Sequence, residues 1–198
     1  VGTYYGSFLK VARKNGFKPI GLEPSKKAAE YGKDVLGEEV YVGTLKDLPE
    51  TIRDFDVITM WDVLEHLSHP VEEINALRRR LKPGGFFIFS TLNIDNWFPR
   101  VAKSRWPWFM EMHLYYFNHD TINQILKKTG FEVVKAQTYR HIINLEYLFY
   151  KLESLGIIGS GTIKKLIHKT PFRKILIPFG LGDIQLYLCK KTDEKEDC

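Results

Sequence analysis

With 198 residues, 44% of them hydrophobic and 27% charged, the chain is long enough for one domain with a substantial core and has a globular composition, not a fibrous or disordered one. The 29 Lys and Arg against 24 Asp and Glu leave +5, a balance too mild to imply nucleic acid, so no DNA partner is expected. Two cysteines without metal or disulfide spacing (Cys189 and Cys198), no apolar run of bilayer length and no signal peptide make the cytoplasm the expected compartment.

The chain opens directly on a glycine turn, Gly2 to Gly6. Such a turn ordinarily follows a central strand, so an N-terminal strand and the helix before it are expected to be missing from the chain as given. Gly6 to Asn15 places Phe8, Leu9, Val11 and Ala12 at helical spacing, and Gly16 stops the helix. Phe17 to Glu23 reads as a strand. A glycine turn running into a helix, then an apolar strand ending in an acid, is the logic of a nucleoside-binding half. Glycine lets backbone approach the ligand, and the acid accepts from the ribose hydroxyls. Glu23 lies 23 − 2 = 21 positions after Gly2, close to the ~20 such an acid needs.

Ser25 is the expected N-cap of a helix reaching about Leu36, and Glu39 to Val42 a short strand. After the Leu48-Pro49-Glu50 turn, Phe55 to Trp61 has the composition of a strand buried on both faces. Pro70 opens a helix with Ile74, Leu77 and Leu81 on one stripe, Lys82 to Gly85 reads as a turn, and Phe86 to Ser90 as another buried strand. Strands alternating with helices predict an α/β fold, a mostly parallel sheet covered on both faces. Asn93 to His113, rich in tryptophan and proline, reads as irregular chain lying over the site. A helix over Asp120 to Lys128 and a strand over Gly130 to Tyr139 follow. Ile142 to Gly180 is apolar and basic, with two short amphipathic helices expected. Gly182 to Lys190 is the final strand, and Thr192 to Cys198 a charged, frayed tail.

Glycine turn, Glu23, Phe55-Asp56-Val57-Ile58, Asp62-Val63-Leu64-Glu65-His66-Leu67 and Leu81-Lys82-Pro83-Gly84-Gly85, in this order, resemble class I S-adenosylmethionine-dependent methyltransferases, in particular the branch of the ubiquinone-type O-methyltransferases. The resemblance runs from Val1 to about Tyr139 and returns at Gly182 to Lys191. It implies a Rossmann-like sheet with an antiparallel last strand, forming one domain over 1–198. Residues 1–91 are the cofactor-binding core, 92–181 the lid, helix, strand and amphipathic insert of the acceptor side, and 182–191 the last strand.

S-adenosylmethionine is the implied cofactor and S-adenosylhomocysteine its product. Gly2, Tyr4, Tyr5 and Gly6 would face the methionine moiety, with the first helix N-terminus toward its carboxylate. Glu23, followed by Pro24, would hold the ribose diol by charge-assisted bonds. Thr44 and Leu45 would lie along adenine, and Trp61 and Asp62 would floor the cleft beside the methyl group. One departure stands out. The family pattern Gly-x-Gly-x-Gly is here Gly2-Thr3-Tyr4-Tyr5-Gly6, so the ring of Tyr4 either crowds the cofactor or turns aside to wall the pocket.

Methyl transfer demands alignment above all, and a base only where the nucleophile must lose a proton. Asp62, Glu65 and His66, at i, i+3 and i+4, can share one face of a turn. In ubiquinone-type relatives a similar element is implicated in holding a divalent metal. The reading adopted is that Glu65 and His66 orient the loop and that no metal is bound. His113, in Met112-His113-Leu114-Tyr115-Tyr116-Phe117, can take a proton from an acceptor hydroxyl near neutral pH, or serve only to bond a backbone carbonyl. His113, His66 and Asp62 are thus the catalytic candidates. Trp97, Trp106, Trp108 and Phe109 among Arg100, Lys103 and Arg105 read as a lid over an apolar pocket, with base stacking as the alternative. Residues 163–176, with Lys164, Lys165, Lys169, Arg173 and Lys174 among apolar neighbours, read as a solvated face that can also make weak contact with a membrane surface. The expected function is S-adenosylmethionine-dependent methylation, O-directed, of a small-molecule or lipid- or sugar-linked acceptor. The rivals are a methyltransferase-like binding module without activity, an RNA or protein methyltransferase, and an NAD(P)-dependent oxidoreductase.

Overall fold

The structure, a computed structural model, describes residues 1–154 and 159–193. The expected tail beyond Asp193, Cys198 included, lies outside the described residues. In chain order the elements are α1 (Ser7–Lys14), β1 (Gly21–Glu23), α2 (Lys26–Asp34), β2 (Val40–Val42), β3 (Phe55–Trp61), α3 (Pro70–Arg80), β4 (Leu81–Leu92), α4 (Trp97–Ala102), α5 (His119–Lys128), β5 (Phe131–Thr138), β6 (His141–Asn144), α6 (Leu145–Ser154), α7 (Ser160–His168), β7 (Leu176–Phe179) and β8 (Ile184–Lys191).

β1 and β2 pair in parallel, and a four-stranded sheet of order β3-β4-β8-β5 stands beside them. β3 and β4 are parallel, and β8 runs against both β4 and β5, as expected of the last strand. Residues 1–3 lie between β1 and β3. The Val1 ammonium donates to the Thr59 carbonyl at 2.9 Å, while the Gly2 and Thr3 amides donate to the Leu22 carbonyl at 2.8 and 3.3 Å. The opening turn is thereby fastened to both sheets.

Local chemistry sets most element ends. Ser25 Oγ accepts the Ala28 amide, Asn118 and Thr121 form a reciprocal cap at the start of α5, and Pro70 occupies the first turn of α3. The main core lies between α3, α5 and the four-stranded sheet, around Met60, Leu64, Ile74, Leu77, Ile122 and Leu126. Stacked rings of Phe87, Phe89 and Tyr187 run across the sheet. Arg80, at the end of α3, holds the 45–52 turn by donating to four carbonyls, those of Leu45, Leu48, Pro49 and Ile52.

Besides α4, a short helix within the Asn93 to His113 segment expected to be irregular, three elements differ from the sequence reading. β1 begins at Gly21 and not at Phe17. Lys82 to Gly85, expected as a turn, is absorbed into β4 as a bulge between the pairs Phe55–Leu81 and Val57–Phe86. A Cβ on Gly85 would meet the Lys82, Phe55 and Asp56 carbonyl oxygens at 3.0–3.3 Å, so only glycine lets the bulged strand pass this close. The third difference is that β6 and β7 pair antiparallel and frame the two expected helices of the insert.

Candidate active site

The first half of the site is the 2–6 turn against the end of β1. Glu23 is buried at 6% exposure, and both its oxygens are engaged: Oε2 accepts the Tyr4 amide at 2.7 Å and Oε1 the Ser25 amide at 2.9 Å. Pro24, which has no amide hydrogen, bends the chain so that Ser25 reaches back. Two lone-pair directions of the carboxylate remain for further donors. Gly2 has φ +68°, and a Cβ there would fall 2.4 Å from Val63 Cγ2. Tyr4 stands where the family pattern has glycine and adopts the left-handed conformation itself, with φ +49°. Its ring is 62% exposed and lies 4.0 Å from that of Tyr5, which in turn packs edge-on to Tyr31. The ring turns outward and leaves the turn open.

The second half is the end of β3 and the turn after it. Trp61 sets its ring edge-on to Phe8 of α1 at 5.5 Å, and its Nε1 is buried without a partner, as is Thr3 Oγ1. Two orphaned polar atoms, one in the glycine turn and one at the end of β3, suit a polar ligand that satisfies them. Asp62, with φ +51°, is exposed and pinned by Ser90. Its amide donates to Ser90 Oγ at 3.1 Å, and the Ser90 hydroxyl returns a bond to Asp62 Oδ1 at 2.6 Å. Thr44 is exposed, its amide and hydroxyl both donating to Asp47, whereas Leu45 is a core residue at 4% exposure.

Glu65 points inward at 1% exposure, with Oε2 accepting the Thr91 hydroxyl at 2.9 Å. Burial pushes its carboxyl above the ordinary range. His66 and His113 face each other with ring centres 4.7 Å apart. Each has its Nδ1 at a backbone carbonyl, His66 at Met112 O (2.8 Å) and His113 at Trp108 O (2.7 Å). A carbonyl can only accept, so both Nδ1 atoms carry the hydrogen of these bonds. Burial, reinforced by the neighbouring His66, lowers the pKa of His113 below its ordinary value against the opposing pull of Trp108 O and Asp62, a shift toward the neutral ring. Glu65, His66 and His113 each bring one ligand atom within 4.8 Å of the others, a set able to hold a divalent cation. The sequence reading grouped Asp62 with Glu65 and His66. The structure instead brings in His113, some fifty positions along the chain.

The 93–117 segment is fastened over this turn. Leu114 and Tyr115 amides donate to the Glu65 carbonyl, and the Tyr115 hydroxyl to the Ser68 carbonyl. At its other end Trp106 is buried, its Nε1 donating to buried Asp183 at 2.8 Å. Trp97, Phe109, Met112 and Leu114 are exposed on the segment. A groove of about 580 Å³, lined by Pro70, Val71, Tyr115, Tyr116, Phe117 and Ile125 among others, runs beside it. Ser90 and Thr91, which pin the two acids, were missed by sequence reasoning. Their only signal was their place at the end of β4, where Ser90 pairs with Trp61.

A family profile described as a methyltransferase domain matches residues 1–136. Among curated relatives, a ubiquinone biosynthesis O-methyltransferase of Thiobacillus denitrificans is 48% identical over 96 residues, 48% of this chain and 33% of its own length. One from Alkalilimnicola ehrlichii is 33% identical over 99 residues, 47% of this chain and 40% of its own length. The matched stretch therefore spans well under half of either relative. Among solved structures, a SAM-dependent methyltransferase from Archaeoglobus fulgidus superposes with a TM-score of 0.62 at 17% identity, covering 96% of this chain and 83% of the other.

Proposed function

Because the chain belongs to the methyltransferase-domain family, we propose that it transfers the methyl group of S-adenosylmethionine to a hydroxyl on a small acceptor with an apolar body. The observation that carries the reading is the His113 ring, held by Nδ1–H to Trp108 O so that Nε2 is the acceptor of its neutral tautomer, and set beside His66 on the turn that follows β3. Glu23 and the 2–6 turn suit the cofactor: a buried carboxylate for the ribose diol, glycine backbone for the amino-acid tail, and Thr3 Oγ1 and Trp61 Nε1 awaiting partners. When bound, the sulfonium supplies an electrophilic methyl group for in-line displacement. His113 Nε2 accepts the hydroxyl proton, Trp108 O holds the ring in that tautomer, and Asp62 favours the imidazolium that results. Support for an apolar acceptor comes from the 580 Å³ groove, whose Tyr116 stands edge-on to His113 at 6.0 Å. The relatives' names speak for oxygen as the atom methylated. The exposed Tyr4 side chain speaks against a cleft plugged at position 4, one of the two grounds for a binding module without activity. The low cysteine content, with Cys189 a buried free thiol, suits the reducing cytoplasm.

A second reading rests on the same cluster. Glu65, His66 and His113 would hold a divalent cation, whose Lewis acidity would lower the acceptor hydroxyl's pKa. The test is transfer of isotope-labelled methyl to a prenylated catechol, with and without chelator, by the parent and His113→Gln. The base reading expects chelator-insensitive turnover that falls roughly 10²-fold or more in the variant, with S-adenosylhomocysteine affinity unchanged. Turnover abolished by chelator and restored by a divalent salt selects the metal reading. Unchanged turnover in the variant eliminates both.

A further inference from the structure

Among the described residues of 141–179, none belongs to the three buried clusters and Ser160 is the one buried residue. The segment holds itself together by pairing: β6 with β7, Lys164 with Glu153 and His168 with Glu146 across α6 and α7. Those two glutamates are its only acids. Against them stand six Lys and Arg (Lys151, Lys164, Lys165, Lys169, Arg173, Lys174), so 6 − 2 = +4 of the chain's net +5 resides here. Both acids are engaged, and among the described residues Lys165, Lys169 and Lys174 have no acidic partner. On α7, Ile163 and Leu166 lie one turn apart and are exposed, with Lys165 and Lys169 flanking Leu166. Phe172, Ile175 and Leu176 continue the exposed apolar surface through the 3-10 turn at Pro171–Lys174.

We propose that residues 163–176 seat on an anionic phospholipid surface, with the aliphatic and phenyl side chains entering the headgroup boundary and the cations meeting lipid phosphates. Charge selects this occupant. A second copy apposed at the same face would bring +4 against +4, and a neutral apolar partner would leave the cations unanswered. No helix among the described residues is long and apolar enough to cross a membrane, so the contact lies in the interface plane. The inference is independent of the acceptor and of His113.

The experiment is co-sedimentation of the full chain with phosphatidylcholine vesicles, with and without a phosphatidylglycerol fraction, at low and high salt. The expected result is pelleting with the anionic vesicles alone, relieved by salt. Each surface cation adds about fivefold to partitioning. The double variant Lys165→Glu, Lys169→Glu should therefore bind roughly 25-fold more weakly or worse, and Leu166→Ser with Phe172→Ser should also weaken binding. These residues are exposed, so thermal unfolding and S-adenosylhomocysteine binding should match the parent in every variant. Equal binding to both vesicle types, or no binding, overturns the proposal. So does sedimentation of a lipid-free dimer that Leu166→Ser with Phe172→Ser dissociates.

Discussion

Replacing Glu23 by glutamine tests the cofactor half with almost no change of shape. In the parent the two carboxylate oxygens accept backbone amides at 2.7 and 2.9 Å, from Tyr4 and Ser25, inside a residue 6% exposed. The glutamine amide has one oxygen, so its NH2 must face one of these two donors. A buried amide left unsatisfied costs about 1–3 kcal/mol. At about 2–4 °C per kcal/mol for a chain of this length, thermal unfolding should fall by roughly 2–12 °C. The ribose hydroxyls lose the charge on their acceptor as well. Exchanging charge-assisted for neutral bonds on two hydroxyls removes about 1–3 kcal/mol of binding, roughly 5- to 150-fold in Kd. Calorimetric titration with S-adenosylhomocysteine and a thermal melt of the same sample read the two effects separately. A lowered melting temperature with affinity within about twofold of the parent would refute the ribose role and leave Glu23 as the organiser of the 2–6 turn. An unchanged melt would refute the reckoning of the turn's hydrogen bonds.

Two further outcomes follow from the second half of the site. Burial holds the His113 pKa below its ordinary 6.5, so in chelator-treated protein kcat/KM should rise with pH to a plateau whose midpoint lies under 6.5. A midpoint above that value would assign the limb to another group. The same shift makes the unfolded chain bind the proton first, so His113's contribution to stability is lost as pH falls through 6.5 toward the folded pKa; a denaturant titration across that window checks the sign. Trp106→Phe leaves the buried Asp183 carboxylate without its indole donor, a cost of about 1–3 kcal/mol that should appear as a melt roughly 2–12 °C lower. An unshifted melt would mean that the lid is not anchored there.

The sequence was most legible where a single local rule decided the outcome. Phe55–Trp61 was bounded correctly at both ends, yet it is not buried on both faces as its composition suggested: only Ile58 and Met60 are buried, and Asp56 is exposed. Ser25 and Pro70 announced their helices by capping chemistry alone. Lys82 to Gly85 carries every mark of a turn, and only the Phe55 and Asp56 carbonyls of the adjoining strand reveal that it runs on as a bulge. β6 and β7 were hidden for a related reason: Ile143 and Ile177 pair across more than thirty residues, a contact no local pattern encodes. In the site, Glu23 stood out by its spacing to Gly2, and helical spacing put Asp62, Glu65 and His66 on one face. Asp62 does lie close enough to act electrostatically on Glu65 and His113, while its left-handed backbone and the bond from Ser90 tie it to the end of β4. The place of His113 beside His66 comes from a chain reversal that no local pattern encodes.

The two halves of the site do not behave as independent modules, because they meet at side chains that belong to both. Gly2 lies against Val63, and Phe8 of the first helix against Trp61, so the 2–6 turn and α1 rest on the residues to either side of Asp62. From Val63 the short 3-10 turn at Leu64–His66 follows at once. Its Glu65 carbonyl receives the lid amides of Leu114 and Tyr115, and its His66 ring bonds Met112. A displacement at Gly2 is therefore felt first by Val63, then by the 64–66 turn, and then by His113, whose tilted ring lies against that of His66. Packing of this kind suits an alignment-limited reaction, since it would fix the proposed base relative to the proposed cofactor pocket before an acceptor arrives. It also accounts for a non-glycine residue being tolerated at position 4 and not at position 2. The Tyr4 ring has solvent in front of it, whereas any side chain at Gly2 would push on Val63 and so on everything the 64–66 turn carries.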